Sequence, residues 1–408
     1  MFSQRIEFHP EADQALFSSV AAAPAVFALR GHDLQAEPYV SKTANLRRRL
    51  QRLLAAPEGL TKRLNLRDRV RWIEYTFTGS DFESGFVLYQ ALRSIFPDSY
   101  SKRLRFRPAP LIRLHLENEF PRASVSTRLG KRFDDDRAGV NLHYGPFASR
   151  IAAEKFMNDA LDFFKMRRCV DDLHPDPKFP GCVYSEMKMC LAPCYRGCTD
   201  EEYRSEVARV AEFLDTRGES LLRQIAQERE AASARMEFES AAALHLRHSK
   251  LSSILQHLPE FVGRIDRMHA VIVQRSALTE SEDSSAAKPV ASVALFRVDA
   301  GAIAGPLLFP ISSAEHTKSQ SMEARIEEAL ASFPKSAIAS PIERMEHLSI
   351  LKRWCYRGSR EGEIFYADAR GQLPMRRLVR GIGRVYKREP NEEETAASTT
   401  APTTAPVD

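Results

Sequence analysis

Two stretches of this 408-residue chain concentrate side chains able to do chemistry. The first, PYVSKTANLRRRL at 38–50, reads as a short strand, a polar turn and a helix. That helix opens on Arg47, Arg48 and Arg49, with Arg52 a turn further on. Guanidinium groups packed this tightly face either a phosphate or solvent. The basic excess runs on, since between Lys42 and Arg71 the only acids are Glu58 and Asp68. Such a bias fits a polyanionic partner such as nucleic acid, with a solvated helix face as the alternative. The second stretch, 169–198, holds Cys169, Cys182, Cys190, Cys194 and Cys198, five of the six cysteines. Four sulfurs in one small loop bind zinc or an iron–sulfur cluster. Zinc favours paired CxxC knuckles. The x12, x7, x3 and x3 spacings contain none, and around prolines they suit a cubane cluster at least as well. Free buried thiols are the remaining alternative, and Cys355, distant in sequence, reads as a core residue.

Length and composition set the frame. An apolar fraction of 43% permits real cores, and a net charge of +5 is too mild for a general polycation. The length suits about two to four modest domains. The opening MFSQRIEFHPEADQ lacks the apolar core of a signal peptide, and no window of about 18 apolar residues suggests a membrane span. A cytoplasmic chain is therefore expected. Thiols stay reduced there, so clustered cysteines point to metal before disulfides.

The elements that must position these residues follow from periodicity, and they predict an α+β chain. Residues 25–29 and 38–40 read as two strands around a turn at 31–33, a plausible hairpin. Asn45 is placed to cap a helix whose stripe is Leu46, Leu50, Leu53 and Leu54. Residues 71–78 are strongly β-like, and a helix over 80–95 is stopped by Pro97. Strand signal recurs at 111–116 and 123–129, with a helix over 149–166. Helical segments follow over 200–215 and 218–257. From 262 the pattern is again α+β, with strands at 268–274 and 291–298 about a turn at Asp299-Ala300-Gly301, and helices at 319–332 and 341–355. Segment 280–288 is expected to be a mobile loop, and the low-complexity end to be disordered.

Six motifs in order resemble the N-terminal part of the UvrC/Cho excinuclease family. They are PYVSKTANLRRRLQ; Phe77-Thr78-Gly79-Ser80; Phe120-Pro121-Arg122 with Val125-Ser126-Thr127-Arg128; Tyr144-Gly145-Pro146-Phe147; the Cys169, Cys182, Cys190, Cys194 set; and Met236-Glu237-Phe238-Glu239-Ser240-Ala241-Ala242. The resemblance covers about 22–310. It implies a GIY-YIG-like nuclease domain at 20–100 with a small mixed sheet, and a β-rich segment plus Cys-rich module at 101–200. It further implies a helical UVR-like hairpin at 201–257; pattern and composition add an α+β region at 262–388 and a tail at 389–408. In such a nuclease a phenolate accepts a proton from the attacking water, while arginine and one divalent metal neutralise the phosphate. The resemblance implies Tyr39, Lys42 and Arg49 as a remnant catalytic set. Phe27 stands where the first tyrosine belongs and Leu88 where the metal-binding glutamate belongs, unless Glu83 or Asp81 substitutes in another register. The loss of the metal alone would cost on the order of a thousandfold in rate. Mg is implied only if the nuclease is active.

The same resemblance implies a [4Fe–4S] cluster on Cys169, Cys182, Cys190 and Cys194, with zinc as the alternative, Cys198 being extra. It implies contact with a UvrB-like protein through 218–255, where Met236, Phe238, Ala241, Ala242 and Leu244 form an apolar stripe. Arg47, Arg48 and Arg52 are the expected DNA contacts. Gly381-Ile382-Gly383 resembles a DNA-gripping hairpin tip, with coincidence as the preferred reading. The leading expectation is thus an excision-repair protein that binds DNA with weakened or lost cleavage. The rivals are an active structure-specific endonuclease and a zinc-containing nucleic-acid-binding protein outside repair.

Overall fold

A computed structural model describes residues 2–33, 35–56, 64–130, 141–277, 292–311, 321–333, 339–368 and 370–387. The loop expected at 280–288 and the tail at 389–408 lie outside the described residues. Within the described residues no helix is long and apolar enough to cross a membrane.

The chain opens with β1 (Gln4–Glu7), α1 (Asp13–Ser19), β2 (Ala25–Arg30), β3 (Tyr39–Thr43), α2 (Leu46–Leu54), β4 (Trp72–Phe77) and α3 (Asp81–Ile95). The four strands form a sheet ordered β1-β4-β2-β3, in which β3 is an edge. The sheet, expected to be mixed, is antiparallel throughout. The connection through α2 carries the chain across β2 to its far side, so the parallel strands β3 and β4 are never neighbours. Central β2 is buried along nearly its whole length, which explains its unbroken AVFAL run. Ala25, Phe27 and Leu29 share one core with Leu46, Leu50, Leu53 and Leu54 of α2. Val26 and Ala28 alternate to the opposite face, the side on which α3 packs.

Two further antiparallel sheets complete the molecule. After α4 (Tyr100–Leu104) come β5 (Leu111–Leu114), β6 (Ala123–Ser126), β7 (Leu142–Gly145) and α5 (Arg150–Leu161). The cysteine segment contains the short α6 (Val183–Glu186) and leads into α7 (Asp200–Asp215), α8 (Glu219–Ala234) and α9 (Phe238–Gln256). The helical segment read over 218–257 turns at Met236, whose φ is 59°, and α8 and α9 pack on each other as the hairpin that the resemblance implies. Then follow β8 (Gly263–Arg264), β9 (His269–Arg275), β10 (Ser292–Asp299), β11 (Ala302–Pro310), α10 (Met322–Ala331), α11 (Pro341–Cys355), β12 (Glu363–Tyr366) and α12 (Met375–Lys387). The β10–β11 turn is the two-residue Ala300-Gly301, both at positive φ, as a tight hairpin requires. Gly381-Ile382-Gly383 lies inside α12, with Gly381 against the Phe365 ring, so it is helix and not a hairpin tip.

Helix α3 joins these parts. Its Phe82 ring meets Phe296 at 5.0 Å and Trp354 at 5.2 Å, and Phe86 meets Phe296 at 5.8 Å and His347 at 5.4 Å. Buried Glu346 of α11 accepts hydrogen bonds from Tyr89 and Tyr100, each at 2.9 Å. The helix start is fixed twice over. The Ser80 side chain accepts from the Glu83 N–H at 3.1 Å, and the Glu83 carboxylate accepts from the Gly79 N–H at 2.7 Å. Burial pushes the Glu83 carboxyl up to about 7, against the downward pull of that N–H. A carboxyl whose folded pKa exceeds its unfolded value binds its proton more tightly when folded, so stability is full below the unfolded pKa and declines as pH rises towards the folded one. Wild-type stability should therefore fall between about pH 4.5 and 7, by at most about 1.4 kcal/mol per pH unit. Glu83→Gln should flatten that decline, which urea denaturation across the window will measure.

Candidate nucleic-acid and metal sites

Tyr39 and Lys42 sit three positions apart on β3 and so leave it on opposite faces. On the α2 face, the Tyr39 hydroxyl accepts from Arg49 at 2.7 Å. The fully buried Phe27 ring lies 6.1 Å from Tyr39. On the α3 face, Lys42 Nζ bonds Asp81 at 2.6 Å. Leu88 is half-buried and lines the same cavity as Lys42 and Asp81. Positions 81, 85 and 88 fall along one stripe of α3. The two halves of the implied catalytic set thus flank the edge strand from either side.

The two carboxylates that might replace a glutamate at Leu88 are both engaged. Glu83 is buried and caps the α3 N-terminus. Asp81 is bridged by Lys42 and by Arg357 at 2.7 Å. Burial would raise its pKa, but the Lys42 bond and the charges of Lys42, Arg357 and Arg353 more than offset this and hold the carboxyl below its usual range. A divalent ion at Asp81 would have to displace two cations.

The arginines of α2 divide. Leu46, Leu50, Leu53 and Leu54 are buried as the spacing predicts, and Asn45 caps the helix through the Arg48 N–H at 2.9 Å. Arg48 and Arg52 are exposed and, with Arg49 and Leu64, line a recess of about 550 Å³. Arg47 instead turns inward. Its Nε donates to the Val20 carbonyl at 2.7 Å and its Nη2 to Ser18 at 3.3 Å, closing the end of α1. Two of the Arg47 donors thus serve orphan helix-end carbonyls, whereas Arg48 and Arg52 face outward.

Sequence reading missed a larger basic surface. A cavity of about 830 Å³ lies between β3, α3, the segment after α4, and α11. It is lined by Lys42, Arg103, Arg105, Arg107, Lys352, Arg353 and Arg357, with Asp81 as the acid among them. The signal was present in the run SKRLRFRP at 101–108, four cations around an aromatic, and in Arg353 and Arg357 one helical turn apart. No linear motif joins these two segments.

The cysteine segment is pinned by buried Arg167. Its Nε donates to the Phe120 carbonyl at 2.9 Å, and its Nη1 to the Asp171 carbonyl at 2.9 Å and to Cys169 Sγ at 3.3 Å. The Ala192 N–H donates to Cys190 Sγ at 3.3 Å. Burial pushes the Cys190 thiol up to about 11, with smaller upward contributions from Cys169, Cys194 and Cys182, so these four lie within electrostatic reach of one another. Cys198 stands apart. Burial raises its pKa first, and the acids Glu202 and Asp200 act on it ahead of Cys194. Among the described residues no three His, Cys, Asp or Glu side chains are grouped as one metal ion would require.

The divided arginines predict a divided response. Arg48→Ala should leave stability within about 0.5 kcal/mol and weaken binding to a DNA duplex in a salt-dependent way. Arg47→Ala should cost about 1–3 kcal/mol of stability by freeing the α1 carbonyls. Denaturant melts and duplex titrations at two salt concentrations will separate the two.

Residues 110–213, from the start of β5 to the end of α7, match the family model described as UvrC/Cho excinuclease, middle domain. The matched stretch contains all five clustered cysteines. Curated relatives named UvrABC system protein C align with the chain. That of Alcanivorax borkumensis is 31% identical over 241 residues, covering 59% of this chain and 38% of the relative. Those of Rickettsia akari and Rickettsia rickettsii are each 29% identical over 216 residues, covering 53% of this chain and 32% of the relative. The chain thus spans about a third of the length of the relatives it matches. No solved structure matches it. Over the matched stretches the chain is thus similar to the UvrC/Cho middle domain and to proteins named UvrABC system protein C.

Proposed function

We propose that the chain is a nucleotide-excision-repair protein that grips DNA at a degenerate GIY-YIG-type centre and cleaves it weakly or not at all. One observation carries this reading. The cavity beside Lys42 presents Leu88 at the position implied for the metal-binding glutamate, and its one carboxylate, Asp81, is already held by Lys42 and Arg357. The remaining set binds without activating. Arg49 donates to the Tyr39 hydroxyl, which orients the phenol. Phe27 supplies a ring but no hydroxyl. Exposed Arg48 and Arg52 offer sequence-independent phosphate contacts.

We read Cys169, Cys182, Cys190 and Cys194 as the ligands of a [4Fe–4S] cluster. The N–H donors from Arg167 and Ala192 to two of the sulfurs support this, since hydrogen bonds to ligand sulfurs tune a bound cluster. When bound, the cluster would cross-link a segment that has little regular structure of its own. The α8–α9 pair suits a UvrB-like partner. Met236 and Phe238 are exposed at its tip and Leu246 on its side, while Leu244 turns inward.

Two experiments test the reading. Incubation of the chain with damaged duplex DNA and Mg²⁺ should give duplex binding but incision at least about a thousandfold slower than a metal-competent centre supports. Efficient Mg²⁺-dependent incision would instead establish an active endonuclease. Anaerobic purification should yield a brown protein with iron and acid-labile sulfide. Cys194→Ser should lose both and Cys198→Ser should keep them; zinc in place of iron would refute the cluster assignment.

A further inference from the structure

The basic cavity is closed by a part of the chain that the nuclease comparison leaves without a role. Lys352, Arg353 and Arg357 come from α11 and the turn after it, and Arg105 and Arg107 from the segment after α4. The Lys352 ammonium donates to the carbonyls of Arg107 and Pro108, each at 3.2 Å, and so ties the two cationic walls together. Arg357 and Lys42 are spent on Asp81. Arg105, Arg107 and Arg353 are exposed and have no acid within ion-pair distance among the described residues. Like charges that outnumber the one acid beside them among the described residues are unfavourable, and a polyanion relieves them.

A second cavity of about 830 Å³ adjoins the first. The two share Arg105, Phe106 and Ser349 as their common wall. The second is mostly apolar, with Pro108, Leu129, Ile342 and Met345 in its lining beside Lys102, Arg128 and Glu346. Ile342 is 71% exposed and Phe106 is half-buried between the two spaces. A cationic recess beside an apolar one, with an aromatic ring at the divide, matches the two faces of an unpaired nucleotide: phosphate on one side, base on the other. A duplex keeps its bases stacked inside and its phosphates on the outside of a wide rod, so it would span the mouth of the recess without filling it.

We infer that this double cavity holds a single-stranded segment of nucleic acid, its phosphates on Arg105, Arg107 and Arg353 and a base against Phe106. The inference deepens the DNA-gripping reading above and rests on it. The segment is held by fixed cations, so its capture needs no divalent metal.

The test uses the full chain and fluorescein-labelled oligothymidylate, with a duplex of the same length as comparison. Wild-type chain should bind the oligothymidylate equally with Mg²⁺ and with EDTA. Arg107→Glu combined with Arg353→Glu, both exposed positions, should lower that affinity at least about tenfold and shrink its salt dependence by about two phosphates. Phe106→Ala should lower it several-fold with the salt slope unchanged. Duplex affinity, assigned chiefly to exposed Arg48 and Arg52, should fall clearly less than oligothymidylate affinity in either variant. Wild-type oligothymidylate affinity in the double variant, with an unchanged melting curve, overturns the inference and leaves the DNA-gripping reading standing. Equal losses on duplex and single strand also overturn it, because the cavity would then be a general phosphate surface. Failure of wild-type chain to bind either DNA overturns both.

Discussion

Helix α3 is buried on two sides at once, and the placement of both basic surfaces depends on that. One side lies on β2 and β3. The other presents Phe82 and Phe86 to Phe296 and Trp354, and Tyr89 to Glu346. The approach is so close that a Cβ at Gly79 would stand 2.2 Å from the Arg275 carbonyl oxygen at the end of β9. Glycine is demanded there by contact, not by a special φ. Because backbone meets backbone at this point, the N-terminal sheet cannot swing away from the C-terminal sheet without exposing an aromatic core. The stripe of α3 that remains, Asp81, Gly85 and Leu88, is left to line the cavity.

The parts of this arrangement that sequence revealed were the local ones. The α2 stripe, the Asn45 cap, β4 and the Ala300-Gly301 hairpin rest on periodicity and turn chemistry within a few residues. The turn at Met236 was harder to read from the residues alone because its neighbours are good helix formers and no glycine or proline marks it. The role of Arg47 was invisible for another reason. An arginine beside two others reads as part of a charged face, and whether it meets a carbonyl depends on where a preceding helix ends in space. The basic cavity shows the same limit at larger scale. Its cations come from 42, 103–107 and 352–357, segments brought together by tertiary packing alone.

The cysteine segment owes its shape to few bonds. It has one short α-helix, one turn of 3-10 helix and little apolar burial of its own, and it is tied to the rest through Arg167 and through the Leu191 N–H, which donates to the Lys165 carbonyl at 2.9 Å. On the proposed reading, a cluster held by its thiols would supply much of its order. Its position between β7–α5 and α7 means that such order would bear on the helical pair beyond it.

The difference between cutting and holding comes down to when charge is neutralised. A metal-assisted centre accelerates cleavage because its contacts strengthen as charge develops on the phosphate. Arginines and lysines that hold phosphates away from the reacting one bind the ground state and the transition state nearly alike, and such uniform binding raises affinity without lowering the barrier. In this chain the carboxylate at Asp81, the one group in the cavity that could recruit a divalent ion, is neutralised by Lys42 and Arg357. Arg357 follows α11 and therefore belongs to the C-terminal region, not to the N-terminal sheet. The same packing that buries α3 thus delivers the cation that silences Asp81. On the proposed reading a centre built in this way is suited to retention, and its strength tracks ionic strength before it tracks any metal.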